Sequence, residues 1–302
     1  MTFEVTILGC GAATPTSKHA PTAQVVNVHD KLFLVDCGEG TQMQLRRNKI
    51  KFQKIQHIFI SHLHGDHYLG LVGLISSLHL LGKKSDLHIY GPAALNDLIQ
   101  LNLKVSQTYL EYELHFHPIE TDEKMRIYED RTMEVYTFPL KHRIPCYGYQ
   151  FVEKEKSPKV RKDVIKEFDL QPSQILALKK GVSVEALGKT ITTEFACFPK
   201  EVSKSYSFCS DTMYWETLVP FIEKSTMLYH ESTFLESEKL RAKQTFHSTA
   251  KQAATIAQKA EVEKLVIGHY SSRYNNDEDF LTEAKTVFEN VQLANEGLTF
   301  KV

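Results

Sequence analysis

The sequence predicts an α/β fold in which layers of strands and helices pack against each other. In the first half of the chain, short apolar runs alternate with longer segments whose polar residues recur at helical spacing. Such alternation is typical of architectures in which helices cover the faces of sheets. With 302 residues and 42% hydrophobic content, the chain is long enough to bury a full core.

The first half contains the clearest elements. We predict strands at FEVTILG, KLFLVDCG, HIFISH and LHIYG, and helices at TQMQLRRN, YLGLVGLISSLHLLG and PAALNDLIQLNLK. Helical patterns then stop between residues 114 and 152, where we predict strands at LHFHPIE, MRIYED, MEVYTFPLKH and YGYQFVEK. Since these strands follow one another without helices between them, we expect an antiparallel meander.

Composition changes at residues 153–189. This segment contains two prolines and nine basic against six acidic residues, an excess of three positive charges. Such a segment favours an insertion rather than a core element. We therefore predict one domain over 1–302 that carries an inserted arm at 153–189.

Strands and helices resume after the arm. We predict strands at SYSFCSD, TMLYHES, KLVIGH and LTFKV, with helices at Ser248 to Ala260 and near Asp279 to Phe288. The apolar strands in KIQHIFISHLHGDH and VEKLVIGHYSSRY both end on a histidine. Because ligands collect at the carboxyl ends of strands in layered α/β folds, these two ends are expected to face one site.

Charge and cysteine content limit the possible classes of protein. A formal net charge of -1 gives no general attraction for nucleic acid or anionic membranes, so a polyanionic partner would need a local basic patch. Five cysteines without C-x-x-C spacing predict reduced, buried thiols. The start MTFEVTILGC lacks the pattern of a signal peptide, and no apolar segment approaches the length of a membrane span, so a cytoplasmic location is expected.

The most informative stretch is ISHLHGDH, where an apolar strand ends in a dense set of polar residues. His62, His64, Asp66 and His67 lie within six positions, and Gly65 allows the chain to bend. Imidazole and carboxylate groups are ligands of zinc and of neighbouring transition metals. A cation would also balance a site that lacks nearby lysine and arginine. Isolated histidines are instead predicted to be surface or core residues: His29, His57, His79, His88, His115 and His117.

The motif resembles the signature of the metallo-β-lactamase superfamily, and within it the chain is similar to ribonuclease Z, the transfer RNA 3′-end endonucleases. The resemblance runs through GCGAATPTSKHAPTAQ, FLVDCGEGTQMQL, FPLKHRIPCYGYQF, FCSDT, HEST, FHSTAKQAA and GHYSSRY. The last three segments distinguish the family best. This resemblance implies an αββα sandwich of two mixed sheets flanked by helices.

The resemblance also implies a centre that binds two zinc ions, for which manganese is an alternative. Seven side chains bind the metals in the family pattern, and three of them follow apolar strands far from the motif. The first ion takes His62, His64 and His142, the second takes Asp66, His67 and His269, and Asp211 bridges both.

Three catalytic residues follow from the same resemblance. Asp66 would also orient or deprotonate the attacking water. His247 of FHST would give a proton to the leaving group, with Glu231 of HEST holding its imidazole. We assign no catalytic role to His230.

The substrate implied by the family is precursor transfer RNA. Cleavage would leave a 3′-hydroxyl on the transfer RNA and a 5′-phosphate on the trailer, and the family is usually a homodimer. The arm would contact RNA phosphates through its basic residues, which are Lys154, Lys156, Lys159, Arg161, Lys162, Lys166, Lys179 and Lys180. Neither a membrane nor DNA is an expected partner.

The sequence departs from the family pattern at two places. The arm segment QPSQILALKKG lacks the glycine of the usual Gly-Pro pair, and SKHAPTA replaces the more usual SKRNPS. Two alternatives remain: another binuclear hydrolase of this fold, acting for example on a phosphodiester, sulfate ester or thioester, or a non-catalytic RNA-binding or metal-sensing protein. The HST and SSRY segments argue against the first, and the complete ligand set argues against the second.

Overall fold

A computed structural model describes residues 2–199 and 202–302. The chain forms two compact units. The first contains the described parts of 1–129, 135–151 and 205–302, and the second contains those of 130–134 and 152–204. The predicted arm 153–189 lies inside the second unit, which extends beyond it on both sides. Within the described ranges, every helix is too short or too polar to cross a lipid bilayer.

The first sheet has seven strands, and its parallel half leads toward the predicted metal motif. The strands are β1 (Phe3–Gly9), β2 (Ala23–Val28), β3 (Lys31–Val35), β4 (His57–Phe59), β5 (Leu87–Pro92), β6 (Leu114–Ile119) and β16 (Thr299–Lys301). Their order is β16-β1-β2-β3-β4-β5-β6. Pairing is antiparallel from β16 to β3 and parallel from β3 to β6. The carboxyl ends of β3, β4 and β5 therefore lie at one edge.

The second sheet also has seven strands. They are β7 (Met125–Glu129), β8 (Met133–Leu140), β9 (Cys146–Glu153), β12 (Ser205–Cys209), β13 (Met227–Glu231), β14 (Leu265–Gly268) and β15 (Val291–Leu293). Their order is β15-β14-β13-β12-β9-β8-β7, with parallel pairing from β12 to β15. In the second unit, β10 (Val184–Ala186) and β11 (Lys189–Ile191) form an antiparallel pair.

Eleven α-helices occur in the described ranges. They are α1 (Thr41–Arg47), α2 (Gly65–Tyr68), α3 (Leu71–Leu80), α4 (Ala94–Val105), α5 (Lys162–Glu167), α6 (Pro172–Lys179), α7 (Thr193–Ala196), α8 (Val219–Ile222), α9 (Lys239–Thr245), α10 (Ala250–Lys259) and α11 (Glu278–Lys285). Short 3₁₀ turns lie at Phe52–Lys54, Glu216–Leu218 and Glu236–Glu238. Helix α10 packs on β13 and β14 and contacts α11.

The side chains of β4 point alternately to the two faces of the first sheet, and their contacts show how the layers pack. Ile58 belongs to an apolar cluster that includes Leu74 and Leu78 of α3. The next residue, Phe59, points the other way, and its ring centroid lies 5.5 Å from that of Phe151 in β9. Side chains alternate between the two faces of a strand, so one face of the first sheet packs on helices and the other on the second sheet. Burying each of these side chains stabilises the fold by about 1.5–3 kcal/mol. The predicted αββα sandwich is confirmed.

Most predicted strands and helices are present, but the meander is only partly correct. The strand at LHFHPIE is β6, which pairs parallel to β5 in the first sheet, so its assignment to an antiparallel meander is wrong. The neighbours β7, β8 and β9 are joined by 130–132 and 141–145, which are too short for the crossover that parallel strands require. Strands β2, β10, β11 and β15 and helices α5 to α9 were not predicted.

The start of α10 also differs from the expected one. We predicted that the helix begins at Ser248, but Thr249 is the N-cap, and its side chain accepts a hydrogen bond from the Gln252 N–H. The Thr249 N–H in turn donates to Gln252 Oε1 at 3.0 Å, which completes a capping box. The Ser248 hydroxyl instead donates to the Thr212 carbonyl oxygen at 2.8 Å.

The cap gives a stability prediction. Thr249→Ala should lower the free energy of unfolding by about 1 kcal/mol because the helix loses the acceptor for an N-terminal N–H. Thr255→Ala is the matched control, since its hydroxyl bonds within the same helix to the Lys251 carbonyl oxygen. Chemical denaturation monitored by circular dichroism measures both. Equal losses in the two variants would contradict the capping role.

Candidate metal centre

Strand ends from both sheets bring the predicted ligands together within the first unit. The motif 62–67 follows β4, His142 follows β8, Asp211 follows β12, and His269 follows β14. The motif residues Asp66 and His67 lie in α2, which begins directly after His64. Each ligand is thus held at the point where a buried strand leaves the sandwich, as expected for a site in a layered α/β fold.

A first group of ligand atoms surrounds His64. Its Nδ1 lies 3.0 Å from His62 Nε2 and 3.1 Å from His142 Nε2. Asp211 Oδ2 lies 3.6 Å from His62 Nε2 and 3.8 Å from His142 Nε2. One proton can serve only one of these nitrogen pairs, whereas a cation among the four atoms would serve all of them.

A second group faces the other oxygen of Asp211. His67 Nε2 and His269 Nε2 lie 3.3 and 3.2 Å from Asp211 Oδ1. Both nitrogens also lie 3.4 Å from Asp66 Oδ2. The Asp211 carboxylate therefore spans the two groups with one oxygen toward each.

Unpartnered atoms show that the second group fits a metal ion. His67 Nε2, His269 Nε2 and Asp211 Oδ1 are buried and have no hydrogen-bond partner. Leaving one such group unpaired costs about 1–3 kcal/mol, and three convergent atoms of this kind fit a bound cation. Neutral imidazoles and carboxylates are the donor set of zinc and manganese.

The protonation states of three predicted ligands suit this interpretation. Burial, together with the charge of neighbouring imidazoles, lowers the pKa of His62 well below its usual value. Burial opposes the charges of Asp66 and Asp211, but the imidazoles around them outweigh it and hold both pKa values well below the usual range. Metal ligands must be deprotonated, and these carboxylates are. At His67, burial lowers the pKa, but the Asp211, Asp66 and Asp36 carboxylates outweigh burial and raise it, so metal binding there would release a proton.

A second layer of hydrogen bonds orients the ligands. His67 Nδ1 lies 2.7 Å from Asp36 Oδ2, and Asp36 also accepts hydrogen bonds from the Ser61 N–H and hydroxyl, at 2.7 and 2.9 Å. A carboxylate behind a histidine fixes its tautomer and directs the other nitrogen to the metal. Asp36 has a left-handed backbone with φ of 56°, an unusual conformation that the surrounding bonds maintain.

The same pattern occurs behind His269 and His247. His269, also left-handed with φ of 65°, has its Nδ1 2.8 Å from the Thr233 hydroxyl, which donates to Glu231 Oε2 at 2.8 Å. His247 Nδ1 lies 2.9 Å from Glu231 Oε1. Glu231 is fully buried, and the Ser248 N–H also donates to it, at 3.0 Å.

The environment of His247 favours the protonated form of its imidazole. Burial lowers the pKa of His247, but the Glu231 and Asp211 carboxylates outweigh burial and raise it to about 9. Its Nε2 lies 3.9 Å from Asp211 Oδ2, on the side of the metal groups. His230 differs, because its Nδ1 lies 2.7 Å from the Glu231 carbonyl oxygen and its ring is buried away from the cavity.

The ligands open into a cavity of about 500 Å³. Arg143, Arg241 and Arg273 line it, and none of the three makes an ion pair with a carboxylate of the described residues. Ser271 and Ser272 also line the cavity and contribute hydroxyl groups to its wall. Unpaired guanidinium groups around a metal centre are suited to binding phosphate.

All nine predicted site residues are thus gathered at one centre, where their roles as ligands and catalysts remain predictions. The sequence did not single out Asp36, although this residue follows the apolar run KLFLV just as the predicted ligands follow their strands. It also treated His57, His88 and His115 as isolated, whereas their rings stack at centroid distances of 4.9 and 4.7 Å.

Comparison with known proteins agrees with the geometry. Residues 3–160 match the family model described as anti-Pycsar protein Apyc1. A ribonuclease Z of Bacteroides thetaiotaomicron is 45% identical over 301 residues, covering 99% of this chain and 95% of that protein. Among solved structures, the short form of human tRNase Z has 27% identity and a TM-score of 0.73, covering 98% of both chains.

The fold has a second structural relative. The metallo-β-lactamase fold protein YhfI from Bacillus subtilis superposes with a TM-score of 0.71 at 20% identity and covers 100% of both chains. This likeness concerns the fold alone. The full-length sequence identity is more specific, and by it the chain belongs to the ribonuclease Z family, whose members share the metallo-β-lactamase fold.

Proposed function

We propose that this protein is a metal-dependent endoribonuclease that removes the 3′ trailer from precursor transfer RNA. The products would be a 3′-hydroxyl on the transfer RNA and a 5′-phosphate on the trailer. The observation that carries the proposal is the position of Asp211, whose two oxygens face two groups of imidazoles beside the His247–Glu231 pair. Family membership specifies the nuclease class.

We assign the two groups to two zinc ions, with manganese as the alternative. His62, His64 and His142 would hold one ion, Asp66, His67 and His269 the other, and Asp211 both. When bound, such a pair lowers the pKa of a water molecule toward neutrality and stabilises negative charge at a phosphodiester. The remaining steps depend on the protein's own side chains.

Asp66 would position the attacking water rather than store its proton. Its pKa lies well below the usual range, so it is a weak base at neutral pH. One of its oxygens is held by the Ala13 N–H, which donates to Oδ2 at 2.7 Å. With the carboxylate fixed in this way, a water that donates to Asp66 is oriented toward the phosphorus.

His247 would protonate the leaving oxygen. The Glu231 carboxylate favours the protonated imidazole, because it raises the pKa of His247 above its usual value. Glu231 accepts the hydrogen bond of Nδ1 at 2.9 Å, which leaves the Nε2–H for the substrate. A positioned general acid of this type accelerates the reaction by about 10² to 10⁴.

The arginines of the cavity would bind the phosphates on either side of the scissile bond. Arg143 follows the first-group ligand His142, Arg241 lies in α9, and Arg273 follows β14, so they approach the cavity from different elements. A protein with a net charge of -1 can attract RNA only through such local groups.

We further propose that the second unit contacts the body of the RNA. Lys156, Lys179 and Lys180 line a cavity of about 530 Å³ in this unit together with Phe198, which is 55% exposed. Lysines beside an exposed aromatic ring suit phosphates and an unstacked base.

The homodimer stays a prediction. Light scattering after gel filtration would measure the molecular mass and so test it. Because precursor transfer RNA is made inside the cell, the proposed reaction is cytoplasmic.

The substrate assignment is tested by cleavage of a precursor transfer RNA with a labelled 3′ trailer. We expect one cut that leaves a 3′-hydroxyl on the transfer RNA. Hydrolysis of bis(p-nitrophenyl) phosphate is measured in parallel. Turnover of the small diester without cleavage of the RNA would instead support another binuclear hydrolase of this fold.

Two substitutions separate metal binding from proton donation. His247→Ala should retain the metal content of the wild type but reduce cleavage by about 10² to 10⁴, because only the proton donor is lost. Asp66→Ala should lower both activity and metal content, since Asp66 belongs to the second group. Elemental analysis and single-turnover kinetics measure these effects. Full RNA cleavage by both variants would refute the mechanism.

Arg241→Ala tests the phosphate contacts. We expect a higher KM for precursor transfer RNA, a smaller change in kcat, and a salt dependence of binding whose slope falls by about 1. Arg47→Ala is the matched control, because Arg47 is an exposed arginine of α1 outside the cavity. An equal change in the two variants would show that Arg241 has no specific contact.

A further inference from the structure

A buried ion network lies beside the metal centre, in the loop between β1 and β2. His19 is 6% exposed. Its Nδ1 lies 3.1 Å from Glu296 Oε2, and its Nε2 lies 3.1 Å from Asp277 Oδ2. Lys18 Nζ lies 2.7 Å from the same oxygen of Asp277. The loop is therefore tied to two segments near the carboxyl terminus of the chain.

Hydrogen-bond accounting makes His19 a cation. Ionised carboxylates only accept hydrogen bonds, so each ring nitrogen that faces one must carry a proton. Cys10 Sγ lies 3.3 Å from His19 Nδ1, but burial and the nearby Glu296 charge raise the pKa of this thiol well above its usual value. Cys10 is thus a neutral neighbour, and the positive charge of His19 is balanced by Asp277 and Glu296.

The same loop reaches the metal centre through Ala13. The Ala12 N–H donates to the Tyr270 carbonyl oxygen at 3.0 Å, and the Tyr270 N–H donates to the Cys10 carbonyl oxygen at 3.0 Å. The next residue, Ala13, has a left-handed backbone with φ of 62°, and its N–H donates to Asp66 Oδ2 at 2.7 Å. The position of this amide depends on how the loop is held.

We propose that His19, as a buried cation between Glu296 and Asp277, is a positioning residue that keeps the Ala13 amide on Asp66. The proposal rests on the role given above to Asp66. His19 touches neither substrate nor metal ligands, and it acts by fixing the loop. Glu296 contributes to the same end, because its Oε1 accepts a hydrogen bond from the Ala20 N–H at 2.8 Å.

A third metal ion is the competing interpretation, since Cys10, His19 and Glu296 offer ligand atoms within 4.8 Å of one another. The hydrogen bonds favour the ion network. Both nitrogens of His19 and both oxygens of Glu296 already have partners. In the metal centre, by contrast, three convergent atoms have none.

A histidine cation makes the loop sensitive to pH. The charged and titratable groups that face His19 are Glu296, Asp277, Lys18, Cys10 and Tyr270, whose phenol stays neutral because burial raises its pKa well above its usual value. Burial lowers the pKa of His19, but the two carboxylates outweigh it and raise the pKa above the ordinary value of 6.5. The stabilisation is therefore complete below pH 6.5 and is lost as the pH rises through the raised pKa.

Substitution of His19 tests the proposal. His19→Gln should lower the turnover of bis(p-nitrophenyl) phosphate and the affinity of the second metal group by about 10- to 100-fold, as expected for loss of a supporting contact of a metal ligand. His19→Arg, which keeps its charge at all accessible pH values, should recover activity and abolish the alkaline loss of thermal stability. His115→Gln is the control, a histidine of β6 outside this network.

Two measurements keep the test independent of the nuclease assay and of how well arginine fits. NMR titration of the labelled wild type should give a pKa above 6.5 for His19. Elemental analysis should find equal metal content in wild type and Cys10→Ala. A His19 pKa below 6.5, unchanged activity and metal affinity in His19→Gln, or loss of one ion in Cys10→Ala would each overturn the proposal. Failure of RNA cleavage alone would contradict only the proposed function.

Discussion

The Asp211 carboxylate is the constraint on which the rest of this structure depends. It is buried, and each of its oxygens faces a different group of imidazoles. A buried charge costs several kcal/mol unless it is paired, so the neighbouring groups must approach it closely from several directions. Strand ends from both sheets supply them, since a single segment cannot surround a carboxylate. The carboxyl-terminal ends of strands from both sheets of the αββα sandwich therefore surround Asp211.

Orientation of the ligands requires more than proximity. Asp36 stands behind His67, Thr233 behind His269, and Glu231 behind both Thr233 and His247. Glu231 thus connects His269, through Thr233, with His247 through one buried carboxylate. A rotation of the Glu231 carboxylate would disturb the orientation of both imidazoles together. Asp36 and His269 adopt strained left-handed backbone conformations, and these conformations direct their side chains toward their hydrogen-bond partners.

The sequence predicts features formed by neighbouring residues better than contacts between residues that are distant along the chain. The motif at 62–67 was evident because its ligands are adjacent in the chain and follow an apolar strand. His142, Asp211 and His269 were assigned through the family resemblance, because spacing along the chain does not determine which strands pair. The same limit explains the wrong placement of β6, whose parallel partner lies in another sheet from β7. The His57, His88 and His115 stack depends on the register of three strands, which periodicity does not specify.

The net charge of the chain gives no indication of the positively charged groups that line the cavity. The whole chain is near neutral, yet the cavity contains three arginines that form no ion pair within residues 2–199 and 202–302, and a histidine, His247, whose pKa is raised. Two divalent cations would more than offset Asp66 and Asp211, so the occupied cavity would carry a positive charge. Because the field of such groups is screened within about 10 Å at ordinary ionic strength, it acts only on phosphates that enter the cavity. A chain with a net charge near zero can therefore still attract a polyanion at this cavity. This local attraction favours the phosphodiester bond at the metal centre over other bonds along the RNA.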